Sequence, residues 1–164
     1  MNESELRALL NKIKECRIGV VGDFCLDAYL FIDQAGSESS VETGLPTFPV
    51  RKSRFFPGGA GNVAANLSAL GVKTVLAFGV RGSDIFGEEL ERLLKEQDIE
   101  TQGLKIQKED WHTHVYTKLY EGDKELNRID FGNFNALHED TIALVLKCLE
   151  KALPELDLII INQQ

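Results

Sequence analysis

Gly58–Asn66, reading GGAGNVAAN, is the stretch of this chain whose residue types best suit holding a small ligand. Adjacent glycines permit positive φ and let a ligand approach the backbone closely. A helix beginning just after them points unpaired amides at whatever sits there. Asn62, on its first turn, can both donate and accept, which suits a sugar hydroxyl. A plain glycine turn before a helix is an equal reading of these letters alone. A dinucleotide loop is a third, because Gly59, Gly61 and Ala64 fit G-x-G-x-x-A and Asp84 falls near the place of a ribose-binding acid. That fingerprint must follow directly on a buried apolar strand, whereas Arg51–Pro57 (RKSRFFP) is charged and ends in proline. The nicotinamide reading therefore ranks as a minor alternative.

Asp23 and Asp27, four residues apart beyond a first apolar run, form a second candidate. Open α/β sheets bind ligands past the carboxyl ends of their strands, and a carboxylate there can accept from two neighbouring hydroxyls. A turn or cap role explains Asp23 better than Asp27. The other reactive types carry less. Cys16, Cys25 and Cys148 are odd in number and widely spaced, so they read as reduced thiols without a disulfide or zinc pattern. His112 and His114 would share one face of a strand, with no third ligand near in sequence, so no metal site is expected. The basic run Arg51–Arg54 (RKSR) is short and reads as a solvated strand face rather than a phosphate rail.

These residues need elements to hold them. Asn2 and Glu5 have capping-box spacing ahead of Leu6, Leu9, Leu10 and Ile13, which predicts a helix over about Ser4–Glu15. Arg17–Val21, Thr74–Phe78 and Leu156–Ile161 are apolar runs without alternation, as in strands buried on both faces of a parallel sheet. Helices are predicted over Asn62–Leu70, closed by Gly71, after a cap at Asp84, and over His138–Leu153. Two extended insertions interrupt this alternation. One lies before Gly58, with an edge strand expected over Leu45–Arg51, and the other is a hairpin over Thr113–Phe131 around Glu121-Gly122-Asp123. Placed on the ligand side, they would form a lid that excludes water. The class is α/β with a mostly parallel sheet.

Composition bounds the partners. At 164 residues, 43% hydrophobic and 27% charged, the chain can bury one core. A net charge of −8 argues against nucleic acid and anionic membrane as partners. No apolar run approaches the ~20 residues that span a bilayer, and MNESELRALL lacks a basic n-region, so a cytoplasmic protein is expected.

VVGDFCLDAYL (Val20–Leu30), PGGAGNVAANLSALG (Pro57–Gly71) and ELNRIDF (Glu125–Phe131) together resemble the PfkB, or ribokinase-like, carbohydrate kinases. The likeness extends to the kinase part of bifunctional heptose kinase/ADP-heptose synthases and covers essentially the whole chain. It implies a ribokinase-like α/β fold with a small β lid, residues 1–164 forming the amino-terminal part of one kinase domain and the lid spanning about 31–56 and 113–131. It implies ATP-dependent, Mg2+-assisted phosphorylation of a sugar or sugar phosphate. It carries acceptor binding onto Asp27, Gly58, Gly59 and Asn62, with Lys118 and Arg128 as contacts to a substrate phosphate. A homodimer through lid strands is the expected protein partner, and a non-catalytic sugar-binding module is the alternative function. The family's G-A-G-D motif, which supplies the catalytic base, has no counterpart here, so no catalytic residue is assigned and the chain alone is expected to be inactive. Two positions depart from the pattern: Gly82 falls one residue late, and Asn162-Gln163-Gln164 stand where the heptose kinases carry an acidic–aromatic pair.

Overall fold

Two of the three non-alternating apolar runs, Arg17–Val21 and Thr74–Phe78, become the core of a parallel sheet, whereas the third, Leu156–Ile161, becomes an edge strand on which Leu158 and Ile161 are exposed rather than buried on both faces. Residues 2–163 are described by the structure, a computed structural model. A four-stranded sheet runs β5–β4–β1–β9 with every neighbouring pair parallel: β1 is Arg17–Gly22, β4 Thr74–Gly82, β5 Ile99–Gln107 and β9 Leu158–Asn162. Ile18, Val20, Val75 and Ala77 point into one continuous core with Leu90 and Leu94. Those two leucines come from helix α3 (Ile85–Lys95). Helix α2 (Ala60–Ala69) adds the small residues Ala60 and Ala64, both fully buried. The opposite side of β4 and β5 is covered by helix α4 (Glu139–Ala152), the element predicted over His138–Leu153. No helix among the described residues is long and apolar enough to cross a membrane.

Helix α1 (Glu3–Ile13) starts at the predicted capping box: Glu5 N–H donates to Asn2 Oδ1 at 2.9 Å and Asn2 N–H to Glu5 Oε2 at 2.8 Å. Helix α2 ends as predicted at Gly71. Its φ of +83° lets Val72 N–H reach back to Leu67 O, satisfying a carbonyl that the helix leaves open.

A second sheet stands off the first. Strands β2 (Phe24–Ile32), β3 (Val50–Gly59), β6 (His114–Glu121) and β7 (Lys124–Glu125) lie in the order β3–β2–β6–β7, and β8 (Ile129–Phe131) also pairs with β6. Both insertions build it, but its boundaries differ from those expected. It begins at Phe24 rather than 31. The strand expected over Leu45–Arg51 starts instead at Val50 and runs on through the glycines, while the stretch before it makes one isolated bridge, Ser39 to Pro46. Pro57 is tolerated because β3 is an edge strand. Strand β5 carries no sequence signal of its own, since Thr101, Gly103 and Gln107 interrupt its apolar positions.

Asp84 joins the two sheets. Its carboxylate accepts from Gly87 N–H and from Thr113 N–H, both at 2.8 Å, so it caps α3 and fixes the residue before β6. Burial pushes its pKa up, but the hydrogen bonds from Thr113 and Gly87 outweigh that and hold it below the usual carboxylate value. A depressed pKa contributes stability above the unfolded value, and that stability is lost as pH falls through the folded one. Asp84→Ala is therefore expected to cost about 2–3 kcal/mol at neutral pH, a lost cap plus an orphaned buried amide. Denaturant titrations should show the gap to wild type closing as the pH falls below the carboxylate range.

Candidate functional site

The chain leaves the central sheet and returns to it at one point. Asp23 N–H donates to Asn162 O at 3.2 Å, and Asp23 O accepts from Ala60 N–H at 3.0 Å. Asp23 thus ties the exit into β2 to the start of α2. Its backbone serves this junction, in keeping with a turn role. Gly59 closes the return: its φ of +54° and ψ of −127° turn β3 straight into α2 with no linking residue.

Register decides which side chains meet. Cys25, Asp27, Tyr29 and Phe31 of β2 lie opposite Gly58, Phe56, Arg54 and Lys52 of β3. On the other flank they lie opposite His114, Tyr116, Lys118 and Tyr120 of β6. Partners in register share a face, so one face of the second sheet carries all of these residues. Its other face gives Leu26, Ala28 and Val115 to the core.

Asp27 lies within β2, not in a turn after β1. Lys118 Nζ donates to Asp27 Oδ1 at 3.0 Å and to the Tyr29 hydroxyl at 3.1 Å, and sits 4.7 Å from the centre of the Tyr29 ring. Burial pulls the Lys118 pKa down, but the bonds to Tyr29 and Asp27 outweigh it, so it stands above an ordinary lysine. Lys118 therefore stays charged throughout the neutral range, and its contribution to the pair is lost as pH rises through the lysine's raised value. Gly58 is required beside it. A Cβ there would stand 2.6 Å from Cys25 Sγ and 2.9 Å from Asp27 Oδ2. The Cys25 thiol is pushed up to about 12 by burial first and by the Asp27 and Asp23 carboxylates next, so it stays neutral.

Of the six expected site residues, the structure joins Asp27, Gly58 and Lys118 in one cluster, with Gly59 next along the chain. Asn62 is exposed on the first turn of α2, where its Oδ1 accepts from Asn66 Nδ2 at 3.2 Å. Its own amide hydrogens remain available to a ligand. Arg128 lies over the same face: its guanidinium forks onto Asp130 at 2.6 and 2.7 Å and sits 4.6 Å from the ring centre of Tyr116, the β6 residue opposite Asp27. His112 and His114 do not share a strand face, because β6 begins at His114 and His112 lies in the preceding loop. His114 faces Cys25 in register, with its pKa lowered by burial against an opposing pull from Asp23. Tyr29, Tyr116 and Phe56 also belong to this face. Within β6 the alternation of His114, Tyr116, Lys118 and Tyr120 with Val115, Thr117 and Leu119 is a local signal for this face, whereas β2 offers none.

The G-x-G-x-x-A reading fails on this geometry. Gly59 ends β3, an antiparallel edge strand of the second sheet, and Arg51–Phe56 lie outside the parallel one. An amphipathic surface with a carboxylate, an ammonium, backbone amides and flanking aromatic rings suits a polyhydroxylated ligand instead.

Comparison with known proteins agrees. The bifunctional protein HldE of Desulfatibacillum aliphaticivorans is 32% identical over 145 residues, covering 88% of this chain and 29% of the relative. The chain thus spans under a third of the length of that relative. A carbohydrate kinase from Agrobacterium tumefaciens shares the fold at a TM-score of 0.58 and 22% identity, over 89% of this chain and 45% of the other. The Arabidopsis thaliana ribokinase complexed with ribose and ATP does so at 0.55 and 19%, over 79% and 42%. With residues 18–163 matching the model described as pfkB family carbohydrate kinase, the chain belongs to that family and has its ribokinase-like α/β fold.

Proposed function

We propose that this chain is the acceptor-gripping part of an ATP-dependent sugar kinase, of the heptose-phosphate type, with the second sheet acting as its lid. The observation that carries this reading is the Asp27–Lys118 pair set against the Cβ-free edge of Gly58. Asp27 accepts from sugar hydroxyls, the backbone at Gly58 and Gly59 lets the ring approach, and Asn62 donates to a further oxygen. Lys118 orients the Asp27 carboxylate through its 3.0 Å hydrogen bond. The likeness to HldE proteins supports the heptose assignment.

ATP and Mg2+ supply the transferable phosphoryl group and its charge neutralisation in such kinases. The described residues do not fit a metal: no three His, Cys, Asp or Glu converge among them. In this proposal the base and the nucleotide pocket lie outside residues 1–164. The solved kinases sharing the fold are more than twice as long as the part matched. Strand β9, at the sheet's outer edge with Ile161 78% exposed, is where further chain would add. The alternative, a sugar-binding module without catalysis, uses the same acceptor site. A homodimer through the lid edge at β3 is part of the proposal. The test is ATP-dependent phosphorylation of a sugar panel by the purified chain. No turnover together with retained sugar binding is expected, and turnover by the chain alone overturns the division of labour.

A further inference from the structure

The basic run Arg51–Arg54, read from sequence as a solvated face, is split by the structure. Strands β2 and β3 slip register between Phe31 and Ile32. Arg51, at that slip, pairs with Asp33 and is neutralised. Ser53 falls on the far face of the sheet. Lys52 and Arg54 fall on the acceptor face, opposite Phe31 and Tyr29. Neither has a carboxylate partner among the described residues, whereas Lys118 and Arg128, the cations expected from sequence to hold a substrate phosphate, are both committed to aspartates.

These two cations line a cleft of about 610 Å3 between Phe31, Asp33, Arg51 and the Glu121 turn. Arg54 lies 5.8 Å from the centre of the Phe31 ring. That ring stacks on Tyr120 at 5.8 Å, and Tyr120 stacks on Tyr29 at 6.2 Å. An aromatic floor of this kind holds a guanidinium by its face and leaves its planar donors free to fork onto an oxyanion. Glu121 on the rim subtracts one charge, and the excess over the cleft remains positive in a chain of net charge −8. At about 3.3 Å per strand residue, Arg54 stands about 7 Å and Lys52 about 13 Å along the sheet from Asp27.

The geometry points to an anion subsite at the outer end of the lid, in which Arg54 and Lys52 take a phosphate or carboxylate carried by the acceptor, remote from the hydroxyls held at Asp27. This rests on the acceptor reading of the lid face and assigns the anion to residues other than Lys118 and Arg128. The test is amide chemical-shift mapping of the chain with inorganic phosphate, D-mannose and D-mannose 6-phosphate. It compares wild type, a Lys52→Ala/Arg54→Ala double variant and Lys118→Met. Both alanine sites are exposed and outside the core, so folding should be retained.

Inorganic phosphate is expected to shift amides around Phe31, Lys52 and Arg54 in wild type and in Lys118→Met, and not in the double variant. Mannose 6-phosphate should bind about tenfold more tightly than mannose, with that advantage gone in the double variant. Phosphate shifts unchanged in the double variant, or centred on Lys118 and Arg128, overturn the subsite. Phosphate bound at Lys52 and Arg54 as tightly alone as on the sugar supports the anion site but overturns its link to the acceptor.

Discussion

Asp27→Asn is expected to abolish useful sugar affinity while leaving the fold intact. The carboxylate is held by a cation from a neighbouring strand, Lys118, at 3.0 Å. Its hydrogen bonds to ligand hydroxyls would be charge-assisted, each contributing about 1.5–3 kcal/mol. Asparagine keeps the shape and one oxygen but replaces the other with a donor, which faces a hydroxyl pair poorly. Loss of about 3 kcal/mol corresponds to roughly a hundredfold weaker binding. Calorimetry with a bound sugar should show that loss, against a smaller one in Lys118→Met, which leaves the carboxylate in place. Equal affinity of Asp27→Asn and wild type would remove Asp27 from the site.

Gly58→Ala should damage both the site and the fold. Gly58 is not in a left-handed conformation, so the cost is steric rather than conformational. The added methyl meets Cys25 Sγ at 2.6 Å and Asp27 Oδ2 at 2.9 Å, and Cys25 is only 2% exposed, leaving no room to retreat. Overpacking of this kind costs about 1–3 kcal/mol, and the atom that yields most readily is the Asp27 carboxylate. Gly44→Ala is the control. Gly44 has a φ of +69° and nothing within 4 Å of a Cβ, so it carries only the backbone cost and no effect on binding. Thermal melts and sugar titrations should therefore separate the two variants, with Gly58→Ala losing both stability and affinity. If Gly58→Ala melts and binds like Gly44→Ala, the close approach at this turn has no energetic weight.

The parallel core was legible because burial on both faces leaves unbroken apolar runs, and Arg17–Val21 and Thr74–Phe78 became β1 and β4. Caps at Asn2 and Asp84 and the closing Gly71 are local chemistry and were equally legible. The second sheet was less so. Phe24–Ile32 reads FCLDAYLFI, apolar on both faces with a single aspartate, so no alternation announces a strand with one wet side. Which residues face Asp27 depends on pairing with β3 and β6. The Lys118 contact spans 91 positions in sequence, and no local spacing encodes it. Arg128 shows the converse. Its type and place suggest a phosphate contact, and the structure adds a fork onto Asp130, two residues on. Lys52 and Arg54 were visible as charge, while the pairing that sets them opposite Phe31 and Tyr29 was not.

Amide chemical-shift mapping of the purified chain against free sugars and their phosphates tests the central claim most directly. Saturable shifts are expected at Asp27, Gly58, Gly59 and Asn62, lost in Asp27→Asn. Shifts centred instead on the apolar cavity of about 180 Å3 that Phe78, Trp111 and α4 line, or no saturable shift with any sugar, would contradict it.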